Sequence, residues 1–175
     1  ADTDLDGNLE FIVADNHANT RLYKVGEGLQ WEINTGYNTA APMQFAQLDD
    51  DPELEIVIFN VGWEARSIPG AAMVYEHDGT LKWSNTDYQS FYAAPTQVDV
   101  DGDGLLDLVG VTFFDATVVA YRGYDGHILW TRELPGRHYG TSPVSVDIDG
   151  DGVKEIIVAG KPDIFFLDSQ TGDIK

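Results

Sequence analysis

The sequence predicts an all-β protein of repeated four-stranded antiparallel blades, a β-propeller architecture, and three observations carry that expectation. An acidic window recurs at Asp2, Asp49, Asp99 and Asp147, at steps of 47, 50 and 48 residues. Three landmarks keep nearly the same step: Trp31, Trp83 and Trp130; Pro42, Pro95 and Pro143; Gly79, Gly126 and Gly172. Between the landmarks lie short runs rich in Val, Ile, Tyr, Phe and Trp, separated by turn residues, with no long stretch of helical periodicity. Four strands in a repeat of about 40–50 residues make a propeller blade. A parallel β-helix would need shorter coils, and a sandwich would not keep this period.

Each unit reads in one order. A small-residue strand follows the proline, in PMQFAQL, PTQVDV and PVSVDI. The acidic loop comes next. An apolar, β-branched second strand follows it, in FIVAD, EIVIFN, DLVGV and EIIVAG. The third strand runs into a glycine turn, in RLYKVGEG, MVYEHDG, VVAYRGYDG and IFFLDSQTG. The fourth carries the tryptophan, in LQWEI, LKWSN and HILWTRE. Residues 1–175 thus read as a single propeller segment of about three and a half blades, with repeats at about 1–36, 37–88, 89–136 and 137–175. Ala1 corresponds to Val98 and Val146, and the spacing puts the next tryptophan at 176. The expectation is a piece of a larger propeller. A small closed ring fits less well, because the last unit already has its own first three strands.

The formal charge is −20, from 30 acidic against 10 basic residues, and there is no cysteine. Such a charge repels nucleic-acid backbones and anionic membranes, and leaves metal cations as partners. The absence of cysteine excludes disulfides, thiolate metal sites and cysteine nucleophiles. No apolar run approaches the roughly 20 residues of a membrane span. No signal peptide is expected at the start either, since Ala1 opens directly onto acid. Seventeen of the 30 acids lie in windows 2–10, 49–55, 99–107 and 147–155, and the rest of the chain nets only −4. The acidity belongs to a repeated local feature.

That feature has the chemistry of a hard-cation site. The acids stand at positions 1, 3, 5 and 9 of the loop: Asp2, Asp4, Asp6 and Glu10; Asp99, Asp101, Asp103 and Asp107; Asp147, Asp149, Asp151 and Glu155. Three carboxylates in five residues repel one another unless a cation compensates, and this many oxygen donors suits Ca²⁺. Glycines at positions 4 and 6 let the backbone curl, as in Gly102, Gly104, Gly150 and Gly152; the first copy keeps only Gly7. Position 7, Asn8, Leu105 or Val153, is expected to offer its carbonyl. An EF-hand would need a glutamate at position 12 and a following helix, whereas position 12 is Val13, Gly110 or Val158 in a strand. The second window is two residues shorter and contains Pro52; Asp49, Asp51 and Glu55 make it a weaker site. About three structural Ca²⁺ ions are expected.

DVDGDGLLDLV and DIDGDGVKEIIV resemble the FG-GAP/VCBS repeats of integrin-α-like propellers. The resemblance implies a calcium loop joining the first and second strands of a blade. YRGYDGHILW and LDSQTGDIK are similar to the tryptophan-docking strands of quinoprotein-type propellers, a combination found among exported microbial repeat proteins. The chain lacks the vicinal cysteines of quinoprotein dehydrogenases, so quinone chemistry is not implied.

The recurring tryptophans are expected to pack between blades. Trp63 has no periodic counterpart and lies in a long loop, NVGWEARSIPG. Tyr37, Tyr88, Tyr92, His138 and Tyr139 lie in loops entering first strands, which in a propeller share a face with the second-to-third loops, opposite the acidic loops. With Trp63 they mark a ligand face for a protein or glycan, unless they only pack around the central channel. Phe91 lies among them. No Ser-His-Asp order, nucleotide loop or zinc signature appears. The expected function is a calcium-stabilised, non-enzymatic repeat module for adhesion, ligand binding or surface assembly, outside the cell, on its surface or in the periplasm. Its partners would be a protein or glycan ligand, and the rest of a larger propeller or neighbouring subunits. The alternative is the propeller domain of a calcium-dependent polysaccharide lyase, with Arg137, His138 and Tyr139 as the weak trace of a catalytic group.

Overall fold

The computed structural model describes residues 1–15, 17–39, 41–61, 70–136, 140–160 and 163–175, and among these described residues the short apolar runs become fourteen strands and no helix. The strands form four antiparallel sheets in chain order. The first holds β1 (Glu10–Ala14), β2 (Asn19–Lys24) and β3 (Gly28–Asn34). The second holds β4 (Gln44–Ala46), β5 (Glu55–Phe59), β6 (Ala72–Tyr75) and β7 (Leu81–Asn85). The third holds β8 (Thr96–Val98), β9 (Asp107–Val111), β10 (Thr117–Tyr121) and β11 (Ile128–Glu133). The fourth holds β12 (Val144–Val146), β13 (Glu155–Ala159) and β14 (Ile164–Asp168). The first sheet lacks a first strand. The fourth lacks a fourth, although a bridge from Leu167 to Ile174 begins one.

Burial explains why the second strands read as unbroken apolar runs. β5, β9 and β10 are buried at every position, because each middle blade is covered on both faces. The fourth strands β3, β7 and β11 are more exposed and alternate. Three clusters fill the gaps between successive blades. Ile56, Ile58, Met73 and Tyr75 meet Ile12, Trp31 and Ile33 of the first blade. Val57, Phe59, Val74 and Trp83 meet Phe91, Leu108 and Tyr121 of the third. Val98, Val109, Val118 and Ala120 meet Ile156, Val158 and Leu167 of the fourth.

The tryptophans lock these gaps. The Trp31, Trp83 and Trp130 indoles donate to the carbonyls of His77, Gly123 and Ser169 in the next blade, at 2.9, 2.7 and 2.8 Å. Each ring lies over the turn glycine of that blade, Gly79, Gly126 or Gly172. A β-bulge stands beside each docked ring. Pairing slips at Leu22/Tyr23, Val74/Tyr75 and Ala120/Tyr121, leaving Gln30, Lys82 and Leu129 as the extra residues before Trp31, Trp83 and Trp130.

The outer faces of the end blades are open and apolar. Phe11 and Val13 are exposed at positions equivalent to Ile56 and Ile58, and Ile164 and Phe166 at those of Val118 and Ala120, all of them buried.

Candidate metal centre

Each acidic loop leaves a short first strand and returns into the second, so its carboxylates crowd at one end of the blade. In the first loop, carboxylate oxygens of Asp2, Asp4 and Asp6 lie within 4.8 Å of one another. The third loop gathers Asp99, Asp101 and Asp107, and the fourth Asp147, Asp149 and Glu155. The second gathers Asp49, Asp51 and Glu55 with Glu76, which enters from the end of the third strand. Glu76 was not picked out from the sequence; the matching residues of the other blades, Lys24, Arg122 and Asp168, hide its position behind mixed charge.

The position-9 carboxylate anchors the loop. Glu10, Glu55, Asp107 and Glu155 are all buried. Each accepts a hydrogen bond from the backbone N–H seven residues earlier, at Thr3, Leu48, Val100 and Ile148, over 2.7–2.9 Å. Burial pushes the Glu55 carboxyl up to about 7, against the Leu48 N–H and Lys82. Burial likewise raises Asp107, against the N–H groups of Val100 and Gly123.

Position-1 and position-5 carboxylates hold the loop backbone. Asp99 accepts from the N–H of Gly102 and Gly104, and Asp147 from Gly150 and Gly152. Asp6, Asp103 and Asp151 accept from the N–H of Asn8, Leu105 and Val153 at 2.8–2.9 Å. Asp103 and Asp151 lie outside the clustered triplets. At position 4, Gly102 and Gly150 have φ of +79° and +80°, and Leu5 takes +58° without glycine's freedom.

The donor set fits a hard divalent cation. Every clustered side-chain donor is a carboxylate, and buried oxygens of Asp2, Glu10 and Glu55 have no hydrogen-bond partner.

The opposite end of the blades carries the aromatic loops. Bridges from Asn38 to Val61 and from Phe91 to Thr112 join loops entering first strands to segments leaving second strands, so they share one face. Tyr37 and Tyr88 pack half-buried against the interblade clusters, and Phe91 is fully buried in one of them. Tyr92 stands with Phe113 and Phe114, at centroid separations of 4.7 and 6.4 Å. The FF doublet at 113–114, placed after a second strand where the other repeats have none, was the available signal for this group. Trp63, Arg137, His138 and Tyr139 lie outside the described residues.

Fold and loops together define a β-propeller-type repeat protein. Residues 99–158, about a third of the chain, match the FG-GAP-like repeat family, in agreement with the resemblance read from the two DxDGDG loops. Comparison with the curated proteins finds no match. Among solved structures, the chain is similar to the biofilm matrix protein Bap1 of V. cholerae, at 17% identity and a TM-score of 0.73, over 99% of this chain and 26% of Bap1. It is similar to BamB from Moraxella catarrhalis, at 18% identity and a TM-score of 0.66, over 99% of this chain and 47% of BamB. It is also similar to the exotype rhamnogalacturonan lyase YesX, at 20% identity and a TM-score of 0.63, over 97% of this chain and 39% of YesX. At these identities the likeness is one of fold, and the chain spans less than half the length of each. Among the described residues no helix is long and apolar enough to cross a membrane.

Proposed function

We propose that the chain is a calcium-stabilised propeller module that presents a ligand-binding face outside the cytoplasm, in adhesion or surface assembly, without catalysis of its own. The observation that carries this reading is the fourfold recurrence of clustered carboxylates at the same place in each blade. A catalytic acid–base pair is needed once, whereas a structural ion is useful in every blade. Asp2, Asp4, Asp6 and Glu10 would hold one ion, and Asp99, Asp101 and Asp107, and Asp147, Asp149 and Glu155, two more. An ion bound only by the folded state adds stability by mass action, and here it would tie the first-to-second-strand connection. The Tyr92–Phe113–Phe114 group on the opposite face offers ring surface for a glycan or a protein side chain. In a longer polypeptide, further blades would cover the open apolar faces.

Chelation should lower the melting temperature markedly, and Asp101→Ala should lose about one ion by elemental analysis. An unchanged melt in excess chelator would sink the calcium reading. A glycan panel screened with and without Ca²⁺ tests the lack of catalysis; turnover to an unsaturated product would replace this reading with a polysaccharide lyase.

A further inference from the structure

Two positions of the repeat can bring a base to the acidic loop: the end of the third strand, and the position six or seven residues further on, which in the first three blades is the bulge residue before the docked tryptophan. At the first stand Lys24, Glu76, Arg122 and Asp168; at the second stand Gln30, Lys82, Leu129 and Lys175. Each pair holds one basic residue. Where the third strand ends in a base, its partner is uncharged; where it ends in an acid, its partner is lysine. Four of the ten basic residues of the chain are spent this way.

All four reach their loops. The Lys24 ammonium donates to Asp4 at 2.7 Å and to Asp6, and lies 3.7 Å from the otherwise unpartnered Oε1 of buried Glu10. Lys82 donates to Asp49 and, at 2.7 Å, to Glu76, and lies 3.8 Å from the unpartnered Oε1 of fully buried Glu55. Lys175 pairs with Glu155 and lies 3.8 Å from Asp149 and Asp168. The Arg122 Nε donates to Asp101 at 3.2 Å. Lys82 is the extra residue of its β-bulge, and a bulge re-aims a side chain.

We propose that each acidic loop carries its own displaceable counter-ion: the tethered Lys24, Lys82, Arg122 or Lys175 sits among the carboxylates, and a divalent ion enters by expelling it. The inference rests on the calcium reading. A cation tethered to the same blade competes at high effective concentration, so it weakens metal binding and also lets the blade fold before metal arrives. Lys24 and Lys82 are the more deeply set, and their loops should hold metal least tightly. Arg122 touches one clustered carboxylate, Asp101, and is less deeply set than Lys24 or Lys82. Its loop should take metal most readily.

Lys24→Met keeps most of the side-chain stem and removes the charge. In isothermal titration with Ca²⁺, one site should tighten about tenfold, a usual size for coupling between competing ligands, and the melting temperature in chelator should fall. Equal affinity in wild type and variant would overturn the proposal and leave the calcium reading standing. No Ca²⁺ binding by either protein would overturn both. A second measurement needs no variant: acetylation of Lys24 and Lys82 in the wild-type protein, read by mass spectrometry, should speed up on adding Ca²⁺. Unchanged or slower labelling would refute expulsion.

Discussion

Gly126→Ala should destabilise the protein strongly, and the size of the loss should depend on Trp83. Gly126 has φ of +72°, a left-handed conformation that costs a residue with a side chain about 1–2 kcal/mol. A Cβ there would also stand 2.5 Å from the Trp83 ring. That ring cannot easily yield: it is buried, its indole N–H is held by the Gly123 carbonyl at 2.7 Å, and Tyr121 stacks on it at 6.0 Å. Overpacking of this kind adds about 1–3 kcal/mol, so the full cost is about 2–5 kcal/mol. Trp83→Ala alone should cost about 3–5 kcal/mol through the cavity it leaves. In that background the clash is gone, and Gly126→Ala should cost only its conformational share of about 1–2 kcal/mol. Urea unfolding followed by circular dichroism on both single variants, the double variant and the wild type measures the coupling, expected at about 1–3 kcal/mol. Gly26→Ala is the control, with φ of +88° and nothing within 4 Å of its Cβ; it should lose the conformational share in either background. Additive losses for Gly126 and Trp83, within about 0.5 kcal/mol, would refute ring-on-glycine docking as the lock between blades.

Other expectations concern the acidic loops. Asp107→Ala orphans the buried N–H groups of Val100 and Gly123 and should destabilise by about 2–4 kcal/mol even in chelator, whereas Asp103→Ala, at an exposed site, should matter little to the chelated fold. Equal losses in chelated thermal melts would contradict that division of roles. The chelated protein should grow less stable as pH rises from about 4.5 to about 7. Burial raises the Glu55 carboxyl to about 7 in the folded state, so the folded protein binds the extra proton and the stabilisation is lost as that proton leaves. Glu55→Gln should flatten this slope in melts run across the range; an unchanged slope would assign it elsewhere. Below 3.8 the sign reverses, because Asp15, held at about 2 chiefly by the Asn19 side chain, contributes stability that is lost as it protonates.

The repeat, the strand order within each unit and the acidic loops were all legible in the sequence, because each is local. A short apolar, β-branched run, a turn glycine and carboxylates at positions 1, 3, 5 and 9 are written in consecutive residues, and the chain covalently sets their spacing. Even the missing first and last strands were visible as phase. What lay beyond reach depends on contacts between segments far apart in the chain. Trp83 and Gly126 each recur with the repeat, yet only the stacking of blades shows that one lies on the other. Phe91 reads like its neighbour Tyr92, but one is fully buried between blades and the other stands with Phe113 and Phe114 on the loop face. Lys82 and Glu76 lie about thirty residues beyond Asp49, and a one-residue slip in hairpin pairing is needed to bring the ammonium to its carboxylates. Composition could establish that the protein is strongly acidic; which cation answers each acidic loop is decided by the register of the third and fourth strands, since register sets where a side chain can reach.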